Sequence, residues 1–361
     1  MRNDKLKIAL CAHVEIPGPV QALEEYVSKN YSDWRFTEHP LLTMKSSRII
    51  EKGKKREIWN PPFRMLAYPW QVKLNILFNF KKSDVFIGID PLNAFCGILL
   101  KFFGRTKKVI YYVIDYTPKR FTNPILNSLY HSLDRFCSEN SDCVWCISQR
   151  ILEQKKKFKL KKGIVVPVGV YFDKINYENE KIKDSIVLLS HLTKDKGVQI
   201  AIKAMKDVSM EFPNSKLFII GKGPYEKELR KLAKELKLDK NIEFLGFMDH
   251  DEAMKNLSKF EIALAPYEDD PDSITYYADP TKPKEYLAAG LPLIITRVPW
   301  IAEEVEKKSM GKVINYNDAE LAGAIKKLLA DSSLRRQMGE NAKNFMKNFS
   351  WERIYEEALN L

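Results

Sequence analysis

The chain has 361 residues, 45% of them hydrophobic and 29% charged, which is ordinary for folded globular domains and long enough for two or three of them. No apolar run approaches the roughly 18 to 20 residues needed to cross a bilayer, so a transmembrane helix is excluded. The net charge of +12 is uneven: through Val170 there are 29 Lys and Arg against 15 Asp and Glu, and beyond it 30 against 32.

A one-sided basic surface favours an anionic partner, whether membrane lipid, nucleic acid or an acidic substrate; a lysine-rich solubilising surface is the plain alternative. The N-terminus, MRNDKLKIALCAHVEIPG, is too polar and too soon broken by His13, Glu15 and Pro17 for a signal peptide. Five cysteines, an odd count, disfavour a disulfide framework and suit a reducing cytoplasm.

In chain order, strands are predicted at 6–12, 84–89, 108–114, 142–148 and 163–168. Helices are predicted at 21–30 and 123–140. In the second of these, Ile125, Leu129, Leu133 and Phe136 recur at helical spacing and Pro124 suits the first turn. The alternation restarts with strands at 185–190, 216–221, 241–247, 260–267 and 291–296. Helices are expected at GVQIAIKAMKDV, 225–238, KEYLAAG and toward the C-terminus. Such alternation predicts an α/β protein with parallel sheets covered by helices. The expected domains are 1–170, a linker at 171–184, 185–345, and a C-terminal helix at 346–361 packing back toward the first domain.

Open parallel sheets bind ligands beyond the carboxyl ends of their strands, so the loops there carry the chemistry. SHLTKDKG (190–197) places Lys196 before a helix, with Gly197 permitting close backbone approach; its bland reading is a solvated turn. GKGP (221–224) offers Gly221 and Gly223 in a tight turn, a weak signal alone. PTKPKEYLAAGLPLIIT (280–296) is the strongest: Pro283 suits a first helical turn and Gly290 a helix end, which puts Glu285 in the first turn. There a carboxylate can accept hydrogen bonds from two ribose hydroxyls, while Lys282 and free N–H groups meet phosphate. EDDPDS (268–273) gives Asp270 and Asp272 a D-x-D spacing, more readily an acidic loop than a metal site. CVWC (143–146) alternates within a strand and reads as packing, not redox or zinc chemistry.

SHLTKDKG, FIIGKGP, IEFLGF and PTKPKEYLAAGLPLI, in this order and spacing, resemble the donor domain of GT-B glycosyltransferases, and most nearly the large retaining family four, over about 185–345. HVEIPGPVQ (13–21) resembles that family's first loop, PVGVYFD its interdomain link and SWERIYEEAL its returning helix. The resemblance implies two Rossmann-like parallel-sheet domains facing across a cleft. It implies a nucleotide-sugar as substrate, with neither cofactor nor metal. Lys196 would neutralise the donor diphosphate, Glu285 would hold the ribose, and Gly18 would let the first loop approach. His191, Gly221, Gly223, Pro266, Tyr267, Tyr277, Thr281 and Lys282 would line the donor pocket. Two departures stand out: Ser190-His191 replaces the usual Gly-Arg, and Tyr277 occupies the place of an acid eight residues before Glu285. Asp279 or Asp272 are the candidate substitutes for that acid.

On the acceptor side, VIDYTPKRF (113–121) places Asp115 directly after a strand, near Lys119 and Arg120; it is the preferred catalytic residue, with His13 second. A strand-end Asp that merely caps a turn is the bland reading. His39, His131 and His250 have no evident partner. Segments 52–82 and 97–108 interleave bases with aromatic and aliphatic residues, as surfaces on anionic lipid do. The same composition suits single-stranded nucleic acid, or ordinary core helices. The expectation is a cytoplasmic glycosyltransferase, peripheral on the inner face of the membrane, acting on a lipid-linked or envelope-polysaccharide acceptor with retention. A non-catalytic GT-B nucleotide-binding scaffold is the alternative, and nucleic acid is the least favoured partner.

Overall fold

Short apolar runs, too brief for helices and rich in Val and Ile, form the central strands of two sheets. The structure, a computed structural model, describes residues 3–13, 18–39, 46–51, 53–59 and 64–360. Residues 14–17 of the first loop and residues 52 and 60–63 of the basic segment 52–82 lie outside the described residues. The chain divides into two compact units, Met1–Val168 with Ile354–Leu361, and Gly169–Arg353. No helix among the described residues is long and apolar enough to cross a membrane.

The first unit runs β1 (Asn3–Ala12), α1 (Pro19–Asn30), β2 (Tyr31–Glu38), β3 (Ser47–Glu51), β4 (Lys54–Ile58), α2 (Arg64–Phe78) and β5 (Ser83–Ile89). It continues with α3 (Pro91–Phe102), β6 (Thr106–Val113), α4 (Pro124–Asn140), β7 (Cys143–Cys146), α5 (Gln149–Lys155) and β8 (Gly163–Val165). Its sheet has the order β4-β3-β2-β1-β5-β6-β7-β8. Six strands are parallel, with Leu10 of β1 opposite Phe36 of β2 and Ile87 of β5. The expected all-parallel sheet is corrected at one edge, where β3 and β4 form an antiparallel hairpin.

Strand β2 escapes a reading by hydrophobicity because its buried side chains include Arg35, Thr37 and Glu38. Each finds a partner: Arg35 Nε donates to Asn79 Oδ1 at 3.0 Å, Asn79 Nδ2 donates to Thr37 Oγ1 at 3.2 Å, and Glu38 pairs with Arg48. Burying a polar group is costly unless it finds a partner, and these contacts offset much of that cost.

The second unit contains β9 (Ser185–Leu189), α6 (Val198–Glu211), β10 (Lys216–Ile220), α7 (Glu226–Glu235), β11 (Ile242–Gly246), α8 (His250–Leu257) and β12 (Ile262–Ala265). Then come α9 (Ile274–Tyr277), α10 (Thr281–Ala288), β13 (Leu293–Thr296), α11 (Ile301–Lys307), β14 (Gly311–Ile314), α12 (Asp318–Ala330) and α13 (Ser332–Met346). A last helix, α14 (Trp351–Asn360), begins here and ends in the first unit, where Tyr355 donates to the Pro19 carbonyl at 2.5 Å. The sheet is wholly parallel, β11-β10-β9-β12-β13-β14, with an apolar cluster on each face. The stretch expected as a linker is fastened to this unit: Tyr177 donates to Ala288 O, Asn179 to Lys255 O and Lys181 to Phe260 O.

Candidate active site

In the second sheet the chain steps from β9 to β10 and β11 on one side, then returns to β12 on the other. The order reverses at the carboxyl ends of β9 and β12, where parallel α/β sheets open a crevice for ligands. The loops after these two strands meet there. Gly197 has φ 71°, and a Cβ on it would stand 1.7 Å from the Pro266 carbonyl oxygen, so only glycine lets them touch. Gly221 and Gly223 press in the same way on the backbone of Ser190 and Leu192. Their glycine requirement is therefore met by loop-on-loop packing.

Lys196 ends a single 3₁₀ turn before α6. Its ammonium donates to Asp195 Oδ2 at 2.7 Å and to Thr275 Oγ1 at 2.6 Å, and stands 5.8 Å from the centre of the Tyr267 ring. Thr193 also donates to Asp195, at 2.6 Å. Burial raises the Asp195 carboxyl, but these hydrogen bonds and the Lys196 charge outweigh it and hold it below its usual range. His191 is exposed on the same loop. Tyr277, buried at the end of α9, lies two residues from Thr275.

Helix α10 starts at Thr281, two residues earlier than Pro283 indicates. The expectation for Glu285 is corrected accordingly: it is the fifth helical residue, in the second turn, with Thr281 and Lys282 in the first. Gly290 follows the helix at φ 77°, as its sequence position predicts. Tyr286 anchors α10 to the centre of the sheet, accepting from Leu189 N at 2.5 Å and donating to Leu189 O at 3.3 Å.

Glu285 is buried, and its two oxygens differ. Oε1 accepts from His250 Nε2 at 2.7 Å; Oε2 is buried with no hydrogen-bond partner. His250 is the first residue of α8, after the Asp249 cap, and so has the partner that the sequence left unnamed. The hydrogen bond to Glu285 raises the imidazole above its ordinary value of 6.5, against some burial. The Tyr267 hydroxyl is raised by burial, then by Glu285 and then by Asp195, so the ring lies within electrostatic reach of both carboxylates. Thr296 Oγ1 pins Tyr267 by donating to its carbonyl at 2.7 Å.

Two candidate acids are elsewhere engaged. Asp279 is fully buried, accepting from Lys284 Nζ at 2.5 Å and from Trp300 Nε1 at 2.7 Å, so it belongs to the structural support of α10. That corrects its candidacy as the missing acid. Asp272 is exposed, and its N–H donates to Asp270 Oδ1 at 2.9 Å in a turn of its own. Among the described residues no group of His, Cys, Asp and Glu side chains is arranged to hold a metal ion. Cys143 and Cys146 are buried free thiols.

In the first unit, Gly18 caps α1 with extended backbone. Asp115 follows β6: Oδ2 accepts from Arg120 Nη1 at 2.7 Å, and Oδ1 is buried without a partner. Asp90 follows β5 at φ 74°; desolvation, then the Asp115 carboxylate, raise its carboxyl to about 7. His13 follows β1. Burial, then neighbouring His39, push it down to about 3, so it is neutral at physiological pH. His39 bonds to Ser47 Oγ at 2.8 Å and Asn75 Oδ1 at 2.6 Å, and His131 to Pro118 O at 3.0 Å, so these two also have partners.

Two Rossmann-like sheets, each flanked by helices, define the GT-B class. Residues 172–345 match the family described as "Glycosyl transferases group 1". The chain is 28% identical over 231 residues to an uncharacterized glycosyltransferase of Methanocaldococcus jannaschii, covering 62% of each chain. It is 24% identical over 200 residues to the alpha-monoglucosyldiacylglycerol synthase of Streptococcus pneumoniae, covering 51% of this chain and 44% of that protein. The chain thus spans only 44% to 62% of these relatives' own length. In fold it is similar to Anabaena HepE in complex with UDP, at TM-score 0.75 and 15% identity, covering 98% of this chain and 99% of that one.

Proposed function

We propose that this chain is a glycosyltransferase that moves a sugar from a nucleoside diphosphate donor to a hydroxyl acceptor, with retention and without a metal. The observation that carries this is the buried Glu285 carboxylate. One oxygen is taken by His250, the other is unpartnered, and the cation Lys196 stands across the Tyr267 ring. An unpaired buried carboxylate oxygen is costly unless a ligand donates to it, and vicinal ribose hydroxyls are such donors.

In this reading Lys196, Lys282 and the free N–H groups of Thr281 and Lys282 receive the charge that develops on the departing diphosphate. Pro266, Tyr267 and the loop of Gly221 and Gly223 frame base and sugar, with His191 and Tyr277 at the margins. Asp115 orients the acceptor hydroxyl or takes its proton. The basic first half and the glycolipid name of the pneumococcal relative support a lipid-linked or envelope-polysaccharide acceptor. They also support work at the inner face of the membrane.

The test is incubation of the pure protein with UDP-, GDP- and ADP-sugars, with and without membrane extract, reading free nucleotide. Release with at least one donor is expected. Nucleotide binding without release from any donor would instead assign a non-catalytic scaffold, the reading that His191 and Tyr277 favour.

A further inference from the structure

A helix packed on a sheet ordinarily turns apolar residues inward. Helix α2 and the residue after it instead bury a ladder of amides: Gln71, Asn75 and Asn79 recur every four residues and are 1%, 0% and 1% exposed. Two rungs are satisfied. Asn79 donates to Thr37 Oγ1 and accepts from Arg35 Nε. Asn75 Oδ1 bonds His39 Nε2 at 2.6 Å and accepts from Cys11 Sγ at 2.7 Å, while its Nδ2 donates to Asn93 Oδ1 at 3.0 Å. The third rung is not: Oε1 and Nε2 of Gln71 are both buried without a partner.

The contacts fix the level of each rung. Moving along β2 from Thr37 to His39 carries the contact on the ladder from Asn79 back to Asn75. One further turn brings Gln71 level with the carboxyl end of β2. Glu38 lies opposite Ala12 in the register, so β1 ends there too, and His13 follows. The His13 ring lies 6.2 Å from that of His39, centre to centre, and both its nitrogens are buried without a hydrogen-bond partner. The His39 backbone attracts it only weakly against the cost of burial. Unpartnered atoms of His13 and Gln71 thus share one face and one end of the sheet. From β1 the chain steps through β2, β3 and β4 on one side and returns to β5 on the other, and such a reversal opens a crevice at the carboxyl ends of β1 and β5.

The chemistry selects the ligand. Burial pushes His13 down to about 3 and His39 to about 4, and it raises the Cys11 thiol, so all three are uncharged at neutral pH. Among the described residues no lysine or arginine figures in these shifts, and Cys11 also feels the Asp90 carboxyl, whose negative form repels anions. An anion would be buried here without a cation to answer it. A neutral imidazole offers one donor and one acceptor, and an amide two donors and an acceptor; a hydroxyl, which donates and accepts at once, matches both.

We infer that His13 and Gln71 form a subsite in the first unit for a neutral sugar or polyol group, bound through its hydroxyls. That this group belongs to the acceptor rests on the proposed glycosyltransferase function; the pair then selects an uncharged accepting unit over an acidic or phosphorylated one.

The experiment is NMR of the full chain, labelled at its histidine rings, with the methyl glycosides of glucose, galactose, mannose and N-acetylglucosamine and with inorganic phosphate. The His13 signal is assigned by its absence in His13→Phe, and glycoside affinity is read by saturation transfer to the glycoside. The His13 signal should shift and saturate with at least one glycoside and stay in place with phosphate. Gln71→Leu should weaken that glycoside about tenfold or more with its thermal midpoint unchanged or higher, because the amide it removes strands no partner. His13→Phe, which keeps a ring and removes both nitrogens, should weaken it likewise. Nucleotide binding, and release from UDP-, GDP- and ADP-sugars, are measured in parallel. No shift with any glycoside, a shift with phosphate instead, or undiminished glycoside affinity in both variants overturns the subsite, and the glycosyltransferase reading stands if nucleotide is still released. A lowered midpoint in Gln71→Leu with undiminished affinity in His13→Phe assigns the amide to folding and also overturns it. Glycoside binding without any nucleotide binding or release supports the subsite and sinks the glycosyltransferase reading.

Discussion

His250 and Glu285 meet at 2.7 Å, one from the first residue of α8 and the other from the second turn of α10. An imidazolium at a helix N-terminus opposes the helix dipole, so its charged form depends on the carboxylate opposite. The His250 pKa is therefore raised, first by that hydrogen bond. For a histidine raised on folding, the stabilising contribution is complete below its ordinary value near 6.5 and is lost as pH rises through the raised value. An NMR titration should place the His250 midpoint above that of a free imidazole, and Glu285→Gln should bring it back down. If the substitution leaves the midpoint where it was, the pair does not control the ring.

The same carboxylate should govern donor affinity. Glu285→Ala removes the acceptor proposed for ribose hydroxyls, and hydrogen bonds to charged groups contribute about 1.5–3 kcal/mol each. Nucleotide affinity should fall about tenfold to a hundredfold by calorimetry. His250→Ala should cost less, since Glu285 remains. Equal affinity in wild type and Glu285→Ala would remove the ribose assignment.

Lys196 should act on turnover more than on folding. It is held by Asp195 and Thr275, so its ammonium is positioned before any ligand arrives. Lys196→Ala should lower kcat by roughly two or three orders of magnitude, as removal of a transition-state donor does. Thr275→Val should give a smaller loss in kcat, because Asp195 still holds the lysine. An unchanged kcat in Lys196→Ala would leave diphosphate stabilisation to the α10 N-terminus.

The sequence reveals most where side-chain type and strand position agree. Lys196, Gly197 and Gly290 sit where spacing predicts, because a loop after a strand and a residue after a helix have few backbone solutions. Thr275 and His250 are found only in three dimensions: one is 79 residues from Lys196 and the other 35 from Glu285. The one local signal for His250 is the D-H-D-E run, in which Asp249 caps α8 by accepting from Glu252 N. The α10 start shifts because Pro283 is tolerated anywhere in the first turn, not only at its opening. Strand β2 stays hidden because Arg35, Thr37 and Glu38 look solvent-facing until their partners, Asn79 just after α2 and Arg48 on β3, are known.

Asp115 separates the two halves of the reaction. Its Oδ1 is buried without a partner, while Oδ2 is fixed by Arg120. Asp115→Asn keeps the shape and removes the charge. Transfer to acceptor should drop about a hundredfold or more, as for loss of a general base, while nucleotide affinity is unchanged. A variant that transfers normally would reduce Asp115 to a loop residue.

Asp279, two residues before α10 begins, and Lys284 within it are both fully buried, with Trp300 donating to the same carboxylate. Burial pulls the Lys284 ammonium below its usual range even though Asp279 opposes the shift. Neither side chain is exposed to a ligand, so their substitution should register as lost stability. Asp279→Ala leaves a buried ammonium unpaired and should cost about 3–5 kcal/mol in urea unfolding. Lys284→Met alone should also destabilise, because it strands the carboxylate. The double replacement Asp279→Leu/Lys284→Met should recover much of the loss, since well-packed apolar groups often replace a buried pair with little penalty. Recovery in the double variant with donor affinity restored would show that the pair positions α10 only by holding it in place. A double variant that is stable yet no longer binds nucleotide would give the pair a direct part in the site.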